Sequence, residues 1–399
     1  MLAQCLCSYK RKNEVKQNII YFIEYDNMQR IKVLFVIHDL GQGGAEKVLV
    51  NLVNNMSREQ FDITVLSLFG GGVNEQYLKK DIRYIVCYKS AFRGNSMIMK
   101  LFSPHFLYRR YIKEQYDIIV SYLEGPSARI VSGCSDSNVK LVNWIHCKLD
   151  TKEEVSGSFR SFEEAKKCYE RFDRTICVSE WVMNYFKKTM DYKKPLEVLY
   201  NTIETDKIIE KSTEEITDFS FEGPCICLCS VGKIATVKGF DRLARIHKRL
   251  LENGLKHKIL ILGVGPEQPK IEAFLKKHQL QDSFVFLGYQ TNPYKYVAKC
   301  DLYVCSSLSE GFSTAVTEAL VVGTPVVTTL CSGMQEILGE HDEYGMVTDN
   351  NEDSLYEGIK RLLDTPELLA HYKKQAEIRG KYFSTENTVK AVEEMLLSL

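Results

Sequence analysis

Short apolar runs rich in β-branched residues alternate along the first half of the chain with segments of helical periodicity. The first such run, Ile31–Ile37, precedes the amphipathic segment AEKVLVNLVNNM at residues 45–56. The same alternation continues in FDITVLSL, YDIIVSYL, VKLVNWIH and RTICVS. Apolar strands separated by amphipathic helices are typical of a parallel sheet with helices on both faces. The pattern therefore predicts an α/β domain.

A second alternation of the same kind follows residues 205–223, an acidic and weakly apolar segment that we interpret as the interdomain linker. Its apolar runs are CICLCSVG, KILILGVG, SFVFLGY, DLYVCSS and TPVVTT. In open doubly wound sheets, ligands bind beyond the carboxyl ends of the strands. We therefore predict two doubly wound, Rossmann-like α/β domains, residues 28–205 and 224–383, that face each other across a cleft. Residues 1–27 are expected to be a disordered leader, and residues 384–399 a final helix.

The composition is that of an ordinary globular protein: 399 residues with 45% hydrophobic side chains, and 52 basic against 52 acidic residues. The zero net charge argues against a nucleic-acid partner bound through overall basicity. No apolar run reaches the roughly 18 residues of a membrane-spanning helix. The N-terminus has its charges after its short apolar stretch, unlike a signal peptide, so we expect a cytoplasmic protein. The 13 cysteines include no C-x-x-C pair, which favours free thiols over a zinc site.

Two glycine-rich loops follow predicted strands, but neither matches the dinucleotide fingerprint G-x-G-x-x-G. In the first loop Gly41, Gly43 and Gly44 are followed by Glu46. In the second, Gly263 and Gly265 are followed by Gln268 at the position of the third glycine. Each loop still joins a strand to a helix N-terminus, whose free N–H groups can hold an anion. A tight turn without a ligand accounts for either loop alone equally well.

The loop SVGKIATVKGFD places two lysines, Lys233 and Lys238, directly after a predicted strand. Two ammonium groups at that rim can neutralise a diphosphate. A solvated charged face explains the same two residues equally well.

The strongest motif is SSLSEGFSTAVTEAL, at a junction between a predicted strand and a helix. Glu310 and Gly311 fall in the loop, and the helix is expected to begin between residues 312 and 314. Amides at that helix N-terminus can bind phosphate, and Glu318 lies one to two turns further along the helix. Glu318 can accept two hydrogen bonds from a diol such as a ribose, while Glu310 can reach a sugar beyond the phosphates.

Taken together, these motifs resemble the family-4 retaining glycosyltransferases of the GT-B architecture, in order and in spacing. The resemblance covers about residues 28–399. Its motifs are GGAE at 43–46, VSE at 178–180, GKxxxVKGFD at 232–241, GVGPE at 263–267, EGFxxxxxEA at 310–319, GTPVV at 323–327 and YGMV at 344–347.

The resemblance implies a role for each candidate residue. Lys233 and Lys238 would hold the donor diphosphate, and Glu318 the nucleoside ribose. The hydroxyls of the transferred sugar would meet Glu310 and the amides near Phe312 and Ser313. The implied catalytic residues are Glu310, Lys238 and His146, and the implied donor-binding residues are Gly43, Gly44, Lys233, Lys238, Gly263, Gly265, Gly311, Phe312, Ser313 and Glu318.

Three further points follow from the resemblance. His146 matches a histidine that faces the anomeric centre, although by itself it is more simply a buried histidine at a strand end. The loop with Gly43 and Gly44 would close over donor and acceptor, and the final helix would cross back to the N-terminal domain. Position 233 is usually arginine in this family, so Lys233 lacks the fork geometry of a guanidinium.

The function implied is the transfer of a sugar from a nucleotide diphosphate donor, a UDP-sugar by family frequency, to a saccharide or lipid-linked acceptor hydroxyl. Retention of configuration and a role in surface polysaccharide or glycoconjugate synthesis are expected. No D-x-D sequence occurs, so we expect neither metal nor cofactor, with basic side chains and helix N-termini stabilising the leaving group. The alternatives are a nucleotide-sugar epimerase of the same architecture and a non-catalytic sugar-nucleotide binding protein. A nicotinamide dehydrogenase is disfavoured by the two failed glycine fingerprints.

Residues 82–113 contain seven Lys and Arg residues and no acidic residue. Pro104 divides the segment into what we expect to be two short helical pieces. Aromatic residues are interleaved with the cations: Phe92, Phe102, Phe106, Tyr108 and Tyr111. Such a composition is typical of a peripheral surface for anionic membranes, although a solvated basic face with aromatics in the core is the alternative.

Overall fold

A computed structural model describes residues 30–91, 94–221 and 225–399. The predicted leader at 1–27, together with Phe92, Arg93 and the first residue of the predicted second domain, lies outside the described residues.

The N-terminal half forms a parallel sheet of seven strands, in the order β3-β2-β1-β4-β5-β6-β7. The strands are β1 (Ile31–Ile37), β2 (Phe61–Phe69), β3 (Arg83–Tyr88), β4 (Ile118–Ser121), β5 (Lys140–Ile145), β6 (Arg174–Cys177) and β7 (Leu196–Val198). The helices that follow them are α1 (Gly44–Asn55), α2 (Asn95–Leu101), α3 (Pro104–Tyr111), α4 (Pro126–Val131), α5 (Lys152–Ser156), α6 (Phe162–Tyr169), α7 (Glu180–Met190) and α8 (Thr205–Ser212). The central strand β1 is buried from Val33 to Ile37, as expected for a strand covered on both faces.

The C-terminal half forms a second parallel sheet of six strands, in the order β10-β9-β8-β11-β12-β13. The strands are β8 (Ile226–Val231), β9 (His257–Leu262), β10 (Phe284–Gly288), β11 (Leu302–Cys305), β12 (Val326–Thr329) and β13 (Met346–Thr348). The helices are α9 (Phe240–Glu252), α10 (Gln268–Lys277), α11 (Tyr294–Val297), α12 (Thr314–Val321), α13 (Met334–Leu338), α14 (Glu352–Asp364), α15 (Pro366–Tyr382) and α16 (Thr385–Leu397). The architecture is therefore the predicted pair of doubly wound α/β domains.

The strand order of the second sheet brings two of the predicted loops together. Strand β8 pairs with β9 on one side and with β11 on the other. The chain leaves β8 toward β9 and returns at β11, so the loops after β8 and β11 lie side by side at a topological switch point. Lys238 is in the first of these loops and Glu310 is in the second.

The segment after residue 205 begins with helix α8, which packs on the C-terminal domain. Ile203 and Ile208 form a small apolar cluster with Tyr294 of α11. The side-chain amide of Asn292 donates to the carbonyl of Lys211 over 2.8 Å. The linker is thus fixed to the second domain at its start.

The final helix α16 crosses back to the N-terminal domain, which confirms the expectation for residues 384–399. Ser384 caps the helix by accepting from the Asn387 amide. At the crossing point the Thr205 amide donates to the Thr385 hydroxyl over 2.9 Å. Further along, the Ser57 amide, just beyond α1, donates to the Glu393 carboxylate over 2.5 Å. Met395 is buried in the same apolar cluster as the N-terminal sheet.

The basic segment at residues 82–113 differs in part from its prediction. Its first part is the edge strand β3 rather than a helix, and Arg83 in that strand pairs with Glu114. The two helical pieces are α2 and α3, and Pro104 is the first residue of α3, as expected. In the part of the chain that the structure describes, no helix has the length and apolar character required to cross a bilayer.

Replacing Met395 with alanine should destabilise the protein, because the side chain is buried where α16 docks on the N-terminal domain. Loss of a buried methionine side chain costs about 2–5 kcal/mol through lost burial and the cavity left behind. Lys390→Ala is the matched control on the exposed face of the same helix, where the change should be within about 0.5 kcal/mol. Urea unfolding of both variants measures the difference; equal midpoints would show that the docking of α16 contributes little.

Candidate active site

The loop between β11 and α12 presents Glu310 at the switch point. The helix begins at Thr314, where the Ser313 hydroxyl accepts from the Val316 amide over 3.4 Å. Within the loop, the Glu310 Oε1 atom accepts from Lys238 Nζ and from the Ser307 hydroxyl, both over 2.6 Å. The second carboxylate oxygen, Oε2, accepts no hydrogen bond from the described residues. One oxygen of Glu310 is thus fixed and the other remains available to a ligand.

Lys238 closes a short 3₁₀ turn, Thr236–Lys238, in the neighbouring loop. The next residue, Gly239, has a φ of 64°, and a Cβ atom there would lie 2.1 Å from the Ser306 carbonyl oxygen. Only glycine allows the two loops to approach this closely. Burial is the largest single influence and disfavours the charge of Lys238, but the charge attraction and hydrogen bond of Glu310, with smaller contributions from Cys305 and Cys331, together raise the pKa of the lysine. Lys238 is therefore an ammonium ion at neutral pH.

Arg242, on helix α9, fixes the backbone of the same loop. Its guanidinium donates to the carbonyls of Ser306 and Ser307 over 2.8 and 2.7 Å, and to the Thr329 hydroxyl over 3.1 Å. The side chain is buried. Sequence analysis did not identify this residue, because arginine in an amphipathic helix gives no signal of which carbonyls it will meet.

Glu318 faces the other domain from the second turn of α12. Its Oε1 atom accepts from Lys47 Nζ over 2.7 Å and from the Tyr294 hydroxyl over 3.2 Å. Lys47 Nζ also donates to the Tyr294 hydroxyl over 2.9 Å. The Oε2 atom of Glu318, like that of Glu310, accepts no hydrogen bond from the described residues. The sequence pointed to Glu318 but not to Lys47 or Tyr294.

His146 lies just beyond the end of strand β5, against the Glu310 loop. A Cβ atom on Gly311 would lie 2.1 Å from the His146 carbonyl oxygen, so the two domains touch at this point. The His146 amide donates to the Glu124 carboxylate over 2.9 Å. Burial lowers the pKa of the His146 imidazole to about 3, so the ring is neutral at physiological pH. Its Nε2 atom is buried and has no hydrogen-bond partner among the described residues.

The two domains are also joined through the VSE motif. Ser179 caps helix α7, since its hydroxyl accepts from the Val182 amide over 3.1 Å. Its hydroxyl also donates to the Gly311 carbonyl over 3.3 Å. Glu336 of the C-terminal domain accepts from the amides of Glu180 and Trp181 over 2.8 and 3.2 Å. A carboxylate at a helix N-terminus complements the helix dipole, so this contact stabilises the interface.

The side chains of two predicted donor-binding residues, Lys233 and Phe312, form no hydrogen bond with the other described residues of the site. Lys233 is exposed, and its ammonium group has no partner among the described residues. The Phe312 ring packs on Tyr200 and Phe383, at centroid distances of 5.0 and 5.9 Å. Phe312 is therefore part of the core, and only its backbone lies in the loop that faces a ligand.

The predicted glycines have different surroundings. Cβ atoms on Gly263 and Gly265 would lie 1.9 and 2.2 Å from the carbonyl oxygens of Gly232 and Ile234. These two glycines allow the loops after β8 and β9 to pack backbone against backbone. Gly43 is the N-cap of α1, and a Cβ atom on Gly44 would meet no atom within 4 Å. The start of α1 therefore has open space beside it.

The described residues contain no group of three or more His, Cys, Asp or Glu side chains arranged to hold a metal ion.

Comparison with known proteins matches both halves of the chain to glycosyltransferases. Residues 42–207 match the family described as Glycosyltransferase Family 4, and residues 213–379 match Glycosyl transferases group 1. A relative in Campylobacter jejuni is 27% identical over 366 residues, which cover 89% of this chain and 96% of the relative. It is named N-acetylgalactosamine-N,N'-diacetylbacillosaminyl-diphospho-undecaprenol 4-alpha-N-acetylgalactosaminyltransferase.

Solved structures show the same architecture. Anabaena HepE, in complex with UDP and glucose, aligns with a TM-score of 0.72 and 19% identity, covering 93% of this chain and 100% of that one. Sucrose-phosphate synthase from Thermosynechococcus elongatus aligns with a TM-score of 0.74 and 15% identity, covering 92% and 99%. With the order and spacing of the motifs, these matches show that the chain belongs to the family-4 glycosyltransferases of the GT-B architecture.

Proposed function

We propose that the protein transfers a sugar from a nucleotide diphosphate donor, a UDP-sugar, to an acceptor hydroxyl with retention of configuration. The observation that supports this most strongly is the pair of carboxylates Glu310 and Glu318. Glu310 lies in the loop before α12, and Glu318 lies in the second turn of that helix. Each has one oxygen fixed by a lysine and the other available for hydroxyl groups. Such a pair can bind the hydroxyls of a sugar and of a ribose at once, with a diphosphate between them.

The donor diphosphate is proposed to lie between Lys238 and the N-terminus of α12. The backbone amides at Phe312 and Ser313 face the same loop, and free N–H groups at a helix start favour a phosphate group. Lys233 is exposed at the rim, where it can add charge once a ligand is bound. The complex of the structural relative with UDP and glucose supports the choice of UDP.

The proposed chemistry needs no metal ion. Negative charge grows on the diphosphate as the glycosidic bond breaks, and Lys238 with the α12 amides can stabilise that charge. Because Glu310 and Glu318 are assigned to hydroxyl groups of the sugar and the ribose, we favour attack on the same face, with a donor phosphate oxygen taking the acceptor proton, over double displacement through a glycosyl-enzyme. The neutral His146 cannot act as a general acid. Its Nε2 atom has no hydrogen-bond partner among the described residues, and we propose that it bonds a sugar hydroxyl once the donor is bound.

The acceptor is proposed to be a saccharide, carried on a lipid at the cytoplasmic face of a membrane, in surface glycoconjugate synthesis. The name of the C. jejuni relative, which includes a diphospho-undecaprenol acceptor, supports a lipid carrier.

A peripheral membrane surface is proposed on helices α2 and α3. Five apolar side chains are exposed there: Met97, Ile98, Leu101, Phe102 and Phe106. Leu101 is 74% exposed and Met97 72% exposed, and monomeric proteins rarely expose a contiguous apolar cluster without a partner. Arg109 and Arg110 follow Phe106 by three and four positions, which places both on the same side of α3. Apolar side chains flanked by cations suit an anionic bilayer.

Helices α2 and α3 form a hairpin, and two arginines hold it against the N-terminal domain. The buried Arg129 donates to the carbonyls of Met99 and Phe102 over 2.8 and 2.7 Å, and pairs with Glu164 over 2.9 Å. Arg160 donates to the carbonyls of Lys100 and Leu101 over 2.5 and 2.8 Å. These contacts anchor the backbone at the end of α2, where Leu101 and Phe102 are exposed.

Glu310→Gln and Glu318→Gln should have different effects, because the first carboxylate is assigned to the transferred sugar and the second to the ribose. Each change should cost about 1.5–3 kcal/mol of interaction with its own ligand group. Thermal stabilisation by UDP, which is about 2.7 kcal/mol at 100 times the dissociation constant, should persist in Glu310→Gln and fall in Glu318→Gln. Sugar transfer should be lost in Glu310→Gln. If both variants turn over the donor at the rate of the parent protein, the site is wrongly assigned. Thermal stabilisation by a panel of UDP-, GDP- and ADP-sugars identifies the nucleotide base of the donor.

Lys238→Ala should lower kcat by about 10²–10³ with a smaller effect on donor binding, because the ammonium matters most as the diphosphate leaves. Lys233→Ala is the comparison, and its smaller effect would reflect its exposed position. Excess EDTA should leave the rate unchanged, and NMR of the product should show retained anomeric configuration. Loss of activity with EDTA that added divalent ions restore would contradict the metal-free mechanism.

The protein should bind anionic vesicles in a salt-sensitive manner. Replacing Arg109, Arg110 and Lys113 with serine should remove most of the salt-sensitive binding, because each basic residue near the surface contributes about 1 kcal/mol to the free energy of vesicle binding. Met97→Ser with Leu101→Ser should reduce binding at high salt as well. Ile378→Ser is the matched control, since Ile378 is 57% exposed on α15, outside the α2 and α3 surface. Sedimentation with vesicles measures the bound fraction of the parent and of each variant. If the parent protein stays in the supernatant at low salt, this surface does not bind membranes.

A further inference from the structure

Lys47 occupies a position in α1 that ordinary helix electrostatics disfavours. It is the fourth residue of the helix, directly after the GGAE motif. The positive end of the helix dipole lies there, so a cation gains no stabilisation from its own helix. Partial burial also opposes its charge, yet the attraction and hydrogen bonds of Glu318 and Tyr294 together raise the pKa of Lys47 above its usual value. The lysine is stabilised from the opposite domain.

The contacts of Lys47 form a closed triangle. Its ammonium group donates to Glu318 Oε1 and to the Tyr294 hydroxyl, which itself donates to the same carboxylate oxygen. Of the ion pairs between described residues, Lys47–Glu318 is the one that joins the N-terminal half to the C-terminal half. Two donors on Oε1 fix the carboxylate in one orientation and leave Oε2 toward a ligand.

We propose that Lys47 is a positioning residue for the donor nucleoside: it acts through Glu318, and it ties recognition of the ribose to closure of the two domains. This inference depends on the proposed function, which assigns the ribose to Glu318. When the domains separate, Glu318 keeps Tyr294 but loses its cation. When they close, the ammonium group returns to Oε1, the carboxylate is fixed, and Oε2 accepts the ribose hydroxyl. The GGAE loop is brought over the cleft by the same movement, since Lys47 directly follows it.

The test combines UDP binding with a measurement of domain closure in the full-length protein. Isothermal titration of UDP is carried out on the parent, Lys47→Met, Lys47→Arg, Glu318→Gln and the double variant Lys47→Met with Glu318→Gln. Lys360→Met is the matched control: its ion pair with Asp364 is 2.6 Å long and its side chain is 38% exposed, against 43% for Lys47, but the pair lies within one helix.

Lys47→Met should weaken UDP binding about tenfold, the loss expected for one charge-assisted contact. Lys47→Arg should bind UDP within about threefold of the parent, because a guanidinium also pairs with a carboxylate. The double variant should bind no more weakly than Glu318→Gln alone, since Lys47 acts through that carboxylate. In steady-state assays Lys47→Met should raise the donor KM far more than it lowers kcat. Parent-like UDP binding by Lys47→Met, or a full additional loss in the double variant, would overturn the inference.

Small-angle X-ray scattering of the ligand-free proteins tests the domain tie without any assumption about the substrate. Lys47→Met and Glu318→Gln should both increase the radius of gyration, while Lys47→Arg and Lys360→Met should match the parent. An unchanged radius in Lys47→Met would refute the tie. Failure of the parent to bind UDP would instead overturn the proposed nucleotide and the ribose half of this inference, and the scattering result would still decide whether Lys47 holds the domains together.

Discussion

A carboxylate that is removed from water requires a cation or several hydrogen-bond donors, and this requirement organises the cleft. Glu310 and Glu318 each use one oxygen for a lysine and a hydroxyl group. The partner of Glu310 is Lys238, from the same domain, so that pair is independent of how the domains are arranged. The partner of Glu318 is Lys47, from the other domain. Of the two, only the Glu318 pair is an ion pair between the two halves of the chain.

The positions of these charges depend in turn on close backbone packing. Gly239 allows the Lys238 turn to approach the Ser306 carbonyl, and Gly311 allows the Glu310 loop to approach the His146 carbonyl. Arg242 holds two carbonyls of that loop from beneath. A side chain at either glycine would separate the elements that bring the lysine, the glutamate and the histidine together. The glycines of this site act mainly by permitting contact between protein segments.

The sequence predicted the two sheets because buried parallel strands and amphipathic helices differ in the spacing of their apolar residues. Each spacing can be recognised within a short segment of the chain. It also predicted the Glu310 loop and the start of α12, since these depend on neighbouring residues. The Lys47–Glu318 pair joins residues 271 positions apart, and no local pattern specifies such a contact. Strand β3 was missed for a different reason. The segment RYIVCY has the β-branched and aromatic residues of a strand, but the excess of cations in residues 82–113 is also typical of a surface helix, which was the prediction.

One short segment links the proposed membrane surface to the cleft. The loop before α4 contains Glu124, whose carboxylate accepts from the His146 amide and from the Cys147 thiol. Within α4, Arg129 anchors the α2 and α3 hairpin through two carbonyl oxygens. Displacement of the hairpin would therefore act on a helix that begins two residues after Glu124. Under the proposed function, an acceptor held at a membrane by the hairpin would therefore meet a cleft in which the His146 backbone is bonded to the segment that leads into the anchoring helix of the hairpin.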